Sequence, residues 1–168
     1  MHRPARKAPS GRRFRSALSS ERVAHLVKHA FRGTSRALTR RLNAHHVSYS
    51  HWTLLRVLWQ SDGLTQRELS DRAGVTEPST YAAVHAMEEL GYVTREKMPD
   101  NHKEVRVFLT PRGAALREAS VSAAEDVNRI ALHGIPAGDI ATVRRTLLAM
   151  IENLEHDEAL APRARRKP

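Results

Sequence analysis

The chain has 168 residues, a formal net charge of +10 at pH 7 and no cysteine. This length fits one ordinary hydrophobic core, and the lack of cysteine excludes disulfides, thiolate metal sites and thiol-based redox sensing. No apolar run approaches the roughly 20 residues of a membrane span, and the basic N-terminus lacks the apolar stretch of a secretory signal. A cytoplasmic protein without membrane contact is therefore expected.

The positive charge is concentrated at the two ends of the chain. Residues 1–18 hold six basic and no acidic residues, and residues 161–168 hold four basic and no acidic residues. The segment between them is neutral, so the net charge does not identify a nucleic-acid-binding face. The composition of residues 1–18 and 159–168 predicts a basic arm and a basic tail that are disordered when free. Either they are solubilising tails, or the arm lies along DNA phosphates or enters a minor groove.

Two helices are predicted in the first part of the neutral segment. From about Ser20 to His45, apolar residues recur at helical spacing and predict one long helix. Ser48 is a candidate N-cap of a second helix, which should end at the turn-forming run 61–63. Its buried side is predicted to consist of Trp52, Leu55, Leu58 and Trp59.

Two shorter helices follow, joined by a tight turn. Thr65 and Glu68 have the spacing of a capping box, which predicts a helix beginning at Gln66. A glycine supplies the turn after this helix. Thr76 is then the N-cap of the next helix, which should start near Glu77. The order of these signals is typical of a helix-turn-helix.

The second helix of this pair is predicted to bury one side and expose the other. The buried side holds residues at helical spacing, namely Thr80, Ala83, Val84 and Met87. The opposite side holds small and hydrogen-bonding residues, namely Ser79, Tyr81, Ala82 and His85. Such a face suits entry into a DNA major groove, where base edges must be approached closely.

A charged hairpin is predicted after this helix. Val93, Arg95 and Lys97 alternate with polar neighbours. The same alternation is found at Val105, Val107 and Leu109. Two paired strands would form a wing beside the helix-turn-helix.

Two more helices are predicted at the end of the neutral segment. Thr110 and Pro111 open a long helix that should run to His133, and a break rich in glycine and proline follows. The last helix carries an apolar stripe formed by Ile140, Val143, Leu147, Leu148, Met150, Ile151 and Leu154. This stripe needs a partner, which is either a second copy of the chain or the other terminal helices in a monomeric bundle.

The run Leu64–Gly113 resembles the MarR family of bacterial transcriptional regulators. The wing of that family reads Asp-x-Arg, three residues, Val-x-Leu-Thr, two residues and Gly. The matching letters in this chain are Asn101, Lys103, Val107, Leu109, Thr110 and Gly113. The resemblance covers about residues 19–158 and implies a mainly α fold with a small β-hairpin wing (α+β). A winged helix-turn-helix at residues 48–110 would be flanked by long dimerisation helices at residues 19–46 and 111–158.

The resemblance implies a dimeric repressor that binds double-stranded DNA at a palindromic operator and is released by a small molecule. It implies no cofactor and no enzymatic step. The family's wing acid and arginine are replaced by Asn101 and Lys103, and Ala82 stands where its recognition helix often has arginine. The residues predicted to contact DNA are Gln66, Arg67, Glu77, Pro78, Ser79, Tyr81, Ala82, His85, Lys97, Asn101, His102 and Lys103.

Members of this family commonly bind small, often aromatic or phenolic acids between the dimerisation helices and the winged module. The matching positions here are His29, Arg32, Trp52, Thr53 and Arg56. An arginine beside an indole would hold a carboxylate and stack on its ring. Alternatively, Trp52 is a packing residue and Arg56 a solvated surface charge. The urate-responsive branch of the family has aspartate where Thr53 stands, which argues against urate.

Two other functions stay open. A winged-helix module for protein contacts is favoured by the neutral central segment and the missing recognition arginine. A metal-responsive regulator is suggested by the ten histidines. However, the neighbouring His45 and His46 would point in different directions on a helix rather than chelate one ion. No glycine-rich phosphate loop, metal-hydrolase pair or nucleophile motif predicts an enzyme.

Overall fold

The computed structural model of this chain describes residues 21–99 and 101–160, with the side chains of residues 101–103 left out. The predicted basic arm at residues 1–18 and the tail from residue 161 onward lie outside the described residues. So do three side chains predicted to contact DNA from the wing, those of Asn101, His102 and Lys103.

Helices dominate the described residues, and a small antiparallel sheet accompanies them. The helices are α1 (Val23–Leu42), α2 (Tyr49–Leu58), α3 (Gln66–Ala73), α4 (Glu77–Glu89), α5 (Pro111–Ala115), α6 (Arg117–Ala131) and α7 (Ala137–Leu160). The strands are β1 (Leu64–Thr65), β2 (Val93–Met98) and β3 (Asn101–Leu109). The predicted fold class, mainly α with a small β-hairpin wing, is confirmed.

The capping box at the start of α3 is present as predicted. The hydroxyl oxygen of Thr65 accepts from the Glu68 amide at 3.2 Å, and the Glu68 carboxylate accepts from the Thr65 amide at 2.8 Å. These hydrogen bonds from Thr65, first from its backbone and then from its side chain, lower the pKa of Glu68. The first backbone amides of α3 have no acceptor within the helix, and the capping box pairs two of them. The helix therefore begins at Gln66.

The turn between α3 and α4 follows the predicted chemistry as well. Gly74 ends α3 with a φ of 65°, in the left-handed region that glycine adopts without steric cost. The hydroxyl of Thr76 accepts from the Ser79 amide at 3.4 Å, and α4 begins at Glu77. The helix-turn-helix is thus specified by local capping signals at three consecutive boundaries.

The predicted wing is the antiparallel hairpin of β2 and β3. Val93 lies opposite Leu109 and Lys97 opposite Val105, and the register shifts after Lys97. A third strand, β1, pairs antiparallel with β3 and places Leu64 opposite Val107. The sequence did not predict β1, because two residues are too few to show an alternating pattern.

The core lies between α2, α3, α4 and the sheet. All four residues predicted for the buried side of α4 are buried: Thr80, Ala83, Val84 and Met87. On α2, Trp52, Leu55 and Leu58 are buried, whereas Trp59 is only partly buried. The sequence analysis missed Tyr92, which is fully buried and donates its hydroxyl to the carbonyl of His46 at 3.0 Å.

Two helices end earlier in the chain than the sequence predicted. The first helix ends at Leu42, and a 3-10 turn follows to His45. His46 has a φ of 59°, and the Val47 amide donates back to the Leu42 carbonyl at 3.1 Å, which is a left-handed helix termination. The second helix ends at Leu58, before the predicted stop at residues 61–63.

The predicted long helix from Thr110 to His133 is divided. Its first turns form α5, Leu116 follows with a ψ of −13°, and α6 begins at Arg117. The carbonyl of Gly113 accepts from the indole nitrogen of Trp59 at 3.1 Å. We attribute the division to this bond, because it engages a carbonyl that would otherwise serve the continuing helix.

Within the described part of the chain, residues 129–160 form a compact unit that is distinct from the residues before them. This unit contains the end of α6, a turn in which Gly134 has a φ of 75°, and α7. No residue of α7 is buried, and its apolar stripe is exposed within a single chain. In the described part of the chain, no helix is both long and apolar enough to cross a membrane.

Candidate nucleic-acid interface

The exposed side of α4 carries the residues predicted to read DNA. Ser79, Tyr81, Ala82 and His85 are all exposed, and 56% of the Tyr81 surface is accessible. Glu77 and Pro78 form the exposed first turn. The structure therefore brings the helix part of the predicted interface together on one face. Contact of these side chains with DNA stays a prediction.

A buried pair of hydroxyl groups fixes α4 against α3. Thr80 is fully buried and donates to the hydroxyl of Ser70 at 3.2 Å, and Ser70 donates to the Val75 carbonyl at 3.1 Å. A buried hydroxyl without a partner would destabilise the protein, so this chain of bonds favours one packing of the two helices. The exposed face of α4 is consequently presented in a defined orientation.

An ion pair joins the end of α4 to the wing. Arg95 of β2 donates to one carboxylate oxygen of Glu88, from Nε at 2.8 Å and from Nη2 at 2.6 Å. The hydrogen bond from Arg95 lowers the pKa of Glu88, and the positive charges of Arg95 and His85 act in the same direction. The hydrogen bond with Glu88 raises the pKa of Arg95.

The sequence analysis missed the Arg95–Glu88 pair. The two residues lie seven positions apart across a helix end and a turn, so no helical or strand periodicity relates them. Arg95 was predicted only as a strand residue. A charged residue on each side of a turn was the sole available signal, and that signal is common on protein surfaces.

The other residues predicted to contact DNA lie at the start of α3 and in the wing. Gln66 is half-buried and Arg67 is exposed in the first turn of α3. Lys97 is exposed on β2. These positions place cationic side chains on elements adjoining α4, where contacts with phosphates would fix the position of a bound duplex.

The five residues predicted to bind a small molecule all lie within the described residues, and they differ in exposure. Trp52 is 8% exposed and packs against Trp59, with ring centroids 5.7 Å apart. Arg56, His29 and Arg32 are exposed. The structure thus favours the packing interpretation of Trp52.

A small cavity lies between α2 and α4 and contains only one of the five predicted residues, Thr53. Its volume is about 180 Å³, and it is lined by Tyr49, Ser50, Thr53, Leu54, Val75, Ser79 and Ala83. Tyr49 also borders an open groove of about 790 Å³ along α1, together with Arg36 and Arg40. Tyr49 was not predicted from the sequence, because it lies outside both the apolar side of α2 and the positions that match the family.

The described residues contain no group of three or more histidine, cysteine or acidic side chains that would hold a metal ion. His25 and His29 are four residues apart on α1, a spacing that the sequence analysis passed over. The Nδ1 atom of His25 lies 2.6 Å from the Glu21 carboxylate in an exposed pair.

Comparison with known proteins agrees with this architecture. The MarR family model matches residues 47–105. The chain is 28% identical over 93 residues to the HTH-type transcriptional regulator TtmR of Methylorubrum extorquens, covering 55% of this chain but 46% of TtmR, about half of its length. It is 22% identical over 125 residues to an organic hydroperoxide resistance transcriptional regulator of Bacillus subtilis, covering 72% of this chain and 84% of that protein.

Solved structures show the same fold at low sequence identity. A MarR transcriptional regulator from Methanosarcina mazei superimposes with a TM-score of 0.71 and 21% identity, covering 78% of this chain and 94% of that one. BpsR of Bordetella bronchiseptica, whose DNA binding is regulated by 6-hydroxynicotinic acid, superimposes with a TM-score of 0.71 and 18% identity, covering 77% of this chain and 98% of that one. A MarR family protein of Mycobacterium tuberculosis in complex with p-aminosalicylic acid superimposes with a TM-score of 0.63 and 22% identity, again covering 77% of this chain and 98% of that one. The MarR family model thus matches the winged helix-turn-helix of this chain, over residues 47–105, and the solved structures that share its fold include MarR family transcriptional regulators.

Proposed function

We propose that this regulator binds double-stranded DNA with α4 in the major groove and the wing along the neighbouring phosphates. The main observation behind this proposal is the exposed, hydrogen-bonding face of α4. On its buried side, α4 is held against α3 by the hydrogen bond between the hydroxyls of Thr80 and Ser70. A rigid helix with small exposed residues approaches base edges closely, as direct reading of sequence requires. The neutral charge of the central segment means that affinity depends on contacts placed by the fold rather than on overall attraction.

We further propose that the protein acts as a homodimer on a palindromic operator, as a repressor. Both terminal helices expose large apolar side chains in the single chain, including Val23 and Phe31 on α1 and Leu148 and Ile151 on α7. Exposed apolar surface of this extent is typical of an interface. A two-fold dimer would present two copies of α4 to half-sites one helical turn of DNA apart, about 34 Å.

Selection of bound duplexes from a random library tests this function. The selection is run at about 0.15 M salt to suppress attraction through the basic arm, with the full chain and with a chain lacking residues 1–18. We expect both proteins to enrich the same palindrome. If neither enriches a motif, the winged helix is a protein-contact module and the proposed function is wrong.

Two substitutions separate base reading from phosphate contact. His85→Ala, on the exposed face of α4, should relax the preference at individual operator positions. Lys97→Ala, in the wing, should weaken binding to all duplexes alike and reduce the slope of log affinity against log salt by about 1. Titrations of the selected operator and of single-base variants across several salt concentrations measure both effects. Uniform loss on all sequences for His85→Ala would contradict the assignment of α4.

We propose that a small aromatic acid releases the protein from DNA by entering the cavity between α2 and α4. The cavity is bounded by Ser79 and Ala83 of α4 and by Thr53 and Tyr49 of α2, so an occupant would press on the recognition helix. Its lining is largely apolar and adds hydroxyl groups, which suits a phenolic ring. The aromatic acids named with two structural neighbours support this class of ligand.

The position of this ligand site is tested with p-aminosalicylic acid as the probe. Thr53→Leu adds bulk to the cavity and should abolish release of the operator by the probe. Arg56→Ala should leave release intact, because Arg56 is exposed and does not line the cavity. Release is followed by fluorescence anisotropy of labelled operator. If Arg56→Ala abolishes release and Thr53→Leu retains it, the ligand site lies at Trp52 and Arg56, as predicted from the sequence. If the probe does not release the wild type from the operator, the proposed ligand class is wrong.

A further inference from the structure

We infer that one side of α1 is a second DNA-binding surface, which contacts phosphates of the duplex without regard to base sequence. The surface consists of four exposed cationic residues, here called the basic stripe: Lys28, Arg32, Arg36 and Arg40. This inference rests on the proposed function, since it supplies the phosphate contacts for which the recognition helix has no cationic side chain.

The basic stripe follows from the spacing of its members along α1. Successive members are four residues apart, and residues at this spacing are neighbours on the surface of a helix. From Lys28 to Arg40 the helix rises by about 18 Å. A duplex segment of that length carries roughly ten phosphate charges. The stripe is thus long enough to contact several phosphates at once.

Charge is unevenly distributed among the helices, although the central segment is neutral. Five residues of α1 are Lys or Arg and none is acidic, whereas α4 has three glutamates and no Lys or Arg. Phosphate contacts from Lys and Arg supply most of the sequence-independent affinity of a DNA-binding protein. In the wing, Arg95 and Arg106 are already paired with glutamates. Among the helices of the described residues, α1 is therefore the most cationic.

The charges of the basic stripe are not neutralised within the described part of the chain. None of its four members forms an ion pair with an acidic side chain there. Glu21, which precedes α1, is engaged by Nδ1 of His25 at 2.6 Å. Like charges four residues apart destabilise a helix. The three successive pairs of the stripe therefore oppose the folding of α1, and a bound polyanion would relieve them.

One end of the basic stripe is connected to the surroundings of the recognition helix. Arg36 and Arg40 line the open groove along α1 together with Tyr49 of α2. Tyr49 also lines the cavity that is bordered by Ser79, in the first turn of α4. A single side chain thus separates the groove from the cavity beneath α4. The duplex proposed to bind α4 is therefore the polyanion nearest to this end of the stripe.

A membrane surface fits the basic stripe less well than DNA does. A cationic helix that lies on a bilayer inserts its apolar side among the lipids. On the part of α1 that carries Arg36 and Arg40, the apolar side is not available, because Leu38 and Leu42 are buried in the core. Regularly spaced cations along one exposed side of a helix are instead typical of a surface that binds a phosphate backbone.

The test is a titration of labelled duplexes with the full chain at several salt concentrations. The selected operator and a duplex of unrelated sequence are compared. Arg36→Gln/Arg40→Gln should reduce the slope of log affinity against log salt by about 2 on both duplexes, since two phosphate contacts are lost. The ratio of the two affinities should not change, because phosphate contacts carry no sequence information.

Arg117→Gln/Arg145→Gln is the matched control. Both arginines are exposed, and the double substitution removes the same net charge from helices that also carry acidic residues. This variant should keep the slope of the wild type. Thermal melting should show that Arg36→Gln/Arg40→Gln is at least as stable as the wild type, because like-charge pairs are removed and glutamine is as good a helix former as arginine.

The outcomes separate the inference from the function on which it rests. If Arg36→Gln/Arg40→Gln keeps the wild-type slope, or if the control loses as much, the inference is wrong although α4 still reads the operator. A reduced ratio of the two affinities would show that these arginines take part in base reading, which also overturns the inference.

Two further results are decisive. If the variant keeps the wild-type slope on DNA but no longer binds vesicles of phosphatidylcholine and phosphatidylserine that the wild type binds, lipid headgroups are the partner and the inference is wrong. If the wild type prefers no sequence, the proposed function fails, and the slope on the unrelated duplex still decides whether α1 contacts phosphates.

Discussion

Ile151→Asp is expected to dissociate the protein into monomers and to weaken operator binding by at least about a hundredfold. Ile151 lies within the apolar stripe of α7 and is 51% exposed in the single chain. If the stripe is covered by a second copy, the substitution buries an unpaired carboxylate, which is strongly unfavourable. A monomer then engages one half-site and loses the effective concentration that the linked second half-site provides.

Analytical ultracentrifugation measures the change in mass, and titration of the palindromic operator measures the change in affinity. Ala149→Asp is the matched control, because residue 149 lies on the side of α7 away from the stripe and is also exposed. It should remain dimeric and cost only the lower helix propensity of aspartate, about 0.5 kcal/mol. A monomeric mass for the wild type would favour the monomeric bundle, and a dimeric mass for Ile151→Asp would show that Ile151 lies outside the dimer interface.

Gly113→Ala is expected to lower the free energy of unfolding by at least about 3 kcal/mol, or to prevent folding. A methyl group added at Gly113 would collide with the carbonyl oxygen of Tyr92 and would lie 3.3 Å from a side-chain carbon of Leu109. The first contact is with backbone that is held in place, since the Thr110 amide donates to the same Tyr92 carbonyl at 3.0 Å. Relief would require α5 to separate from the sheet and would also break the Trp59 bond to Gly113.

Urea denaturation followed by circular dichroism measures this loss. Gly138→Ala is the control, since nothing lies within 4 Å of a methyl group added there. It should leave stability unchanged or raise it by up to about 1 kcal/mol, because alanine is the better helix former. Equal stability of Gly113→Ala and the wild type would show that α5 packs differently from the structure described.

Local chemistry explains why the helix-turn-helix was predictable. Thr65, Glu68 and Thr76 cap helices through residues three positions away, so the boundaries are encoded in short segments. The buried side of α4 was predictable for the same reason, because its periodicity lies within one helix. The alternation along β2 and β3 likewise predicted the wing, and the family resemblance supplied the expected dimer.

The features that the sequence did not predict depend on distant partners. Trp59 bonds to Gly113 across 54 positions, in the first turns of a helix that local signals extend without a break. Tyr92 reaches the His46 carbonyl across 46 positions, and its burial has no periodic signature. The candidate ligand cavity depends on Tyr49, whose importance arises only when α2 packs against α4. Pair contacts of this kind are properties of the fold rather than of any one segment.

Thr65 has two structural roles, as the last residue of β1 and as the N-cap of α3. Its backbone belongs to the sheet that contains the wing, while its hydroxyl belongs to the capping box of the helix pair. Displacing the wing from the helix pair would therefore break the strand pairing or the cap. We therefore expect the distance between the wing and α4 to be constant. Operators that have identical base edges but different groove widths should then be bound with different affinities.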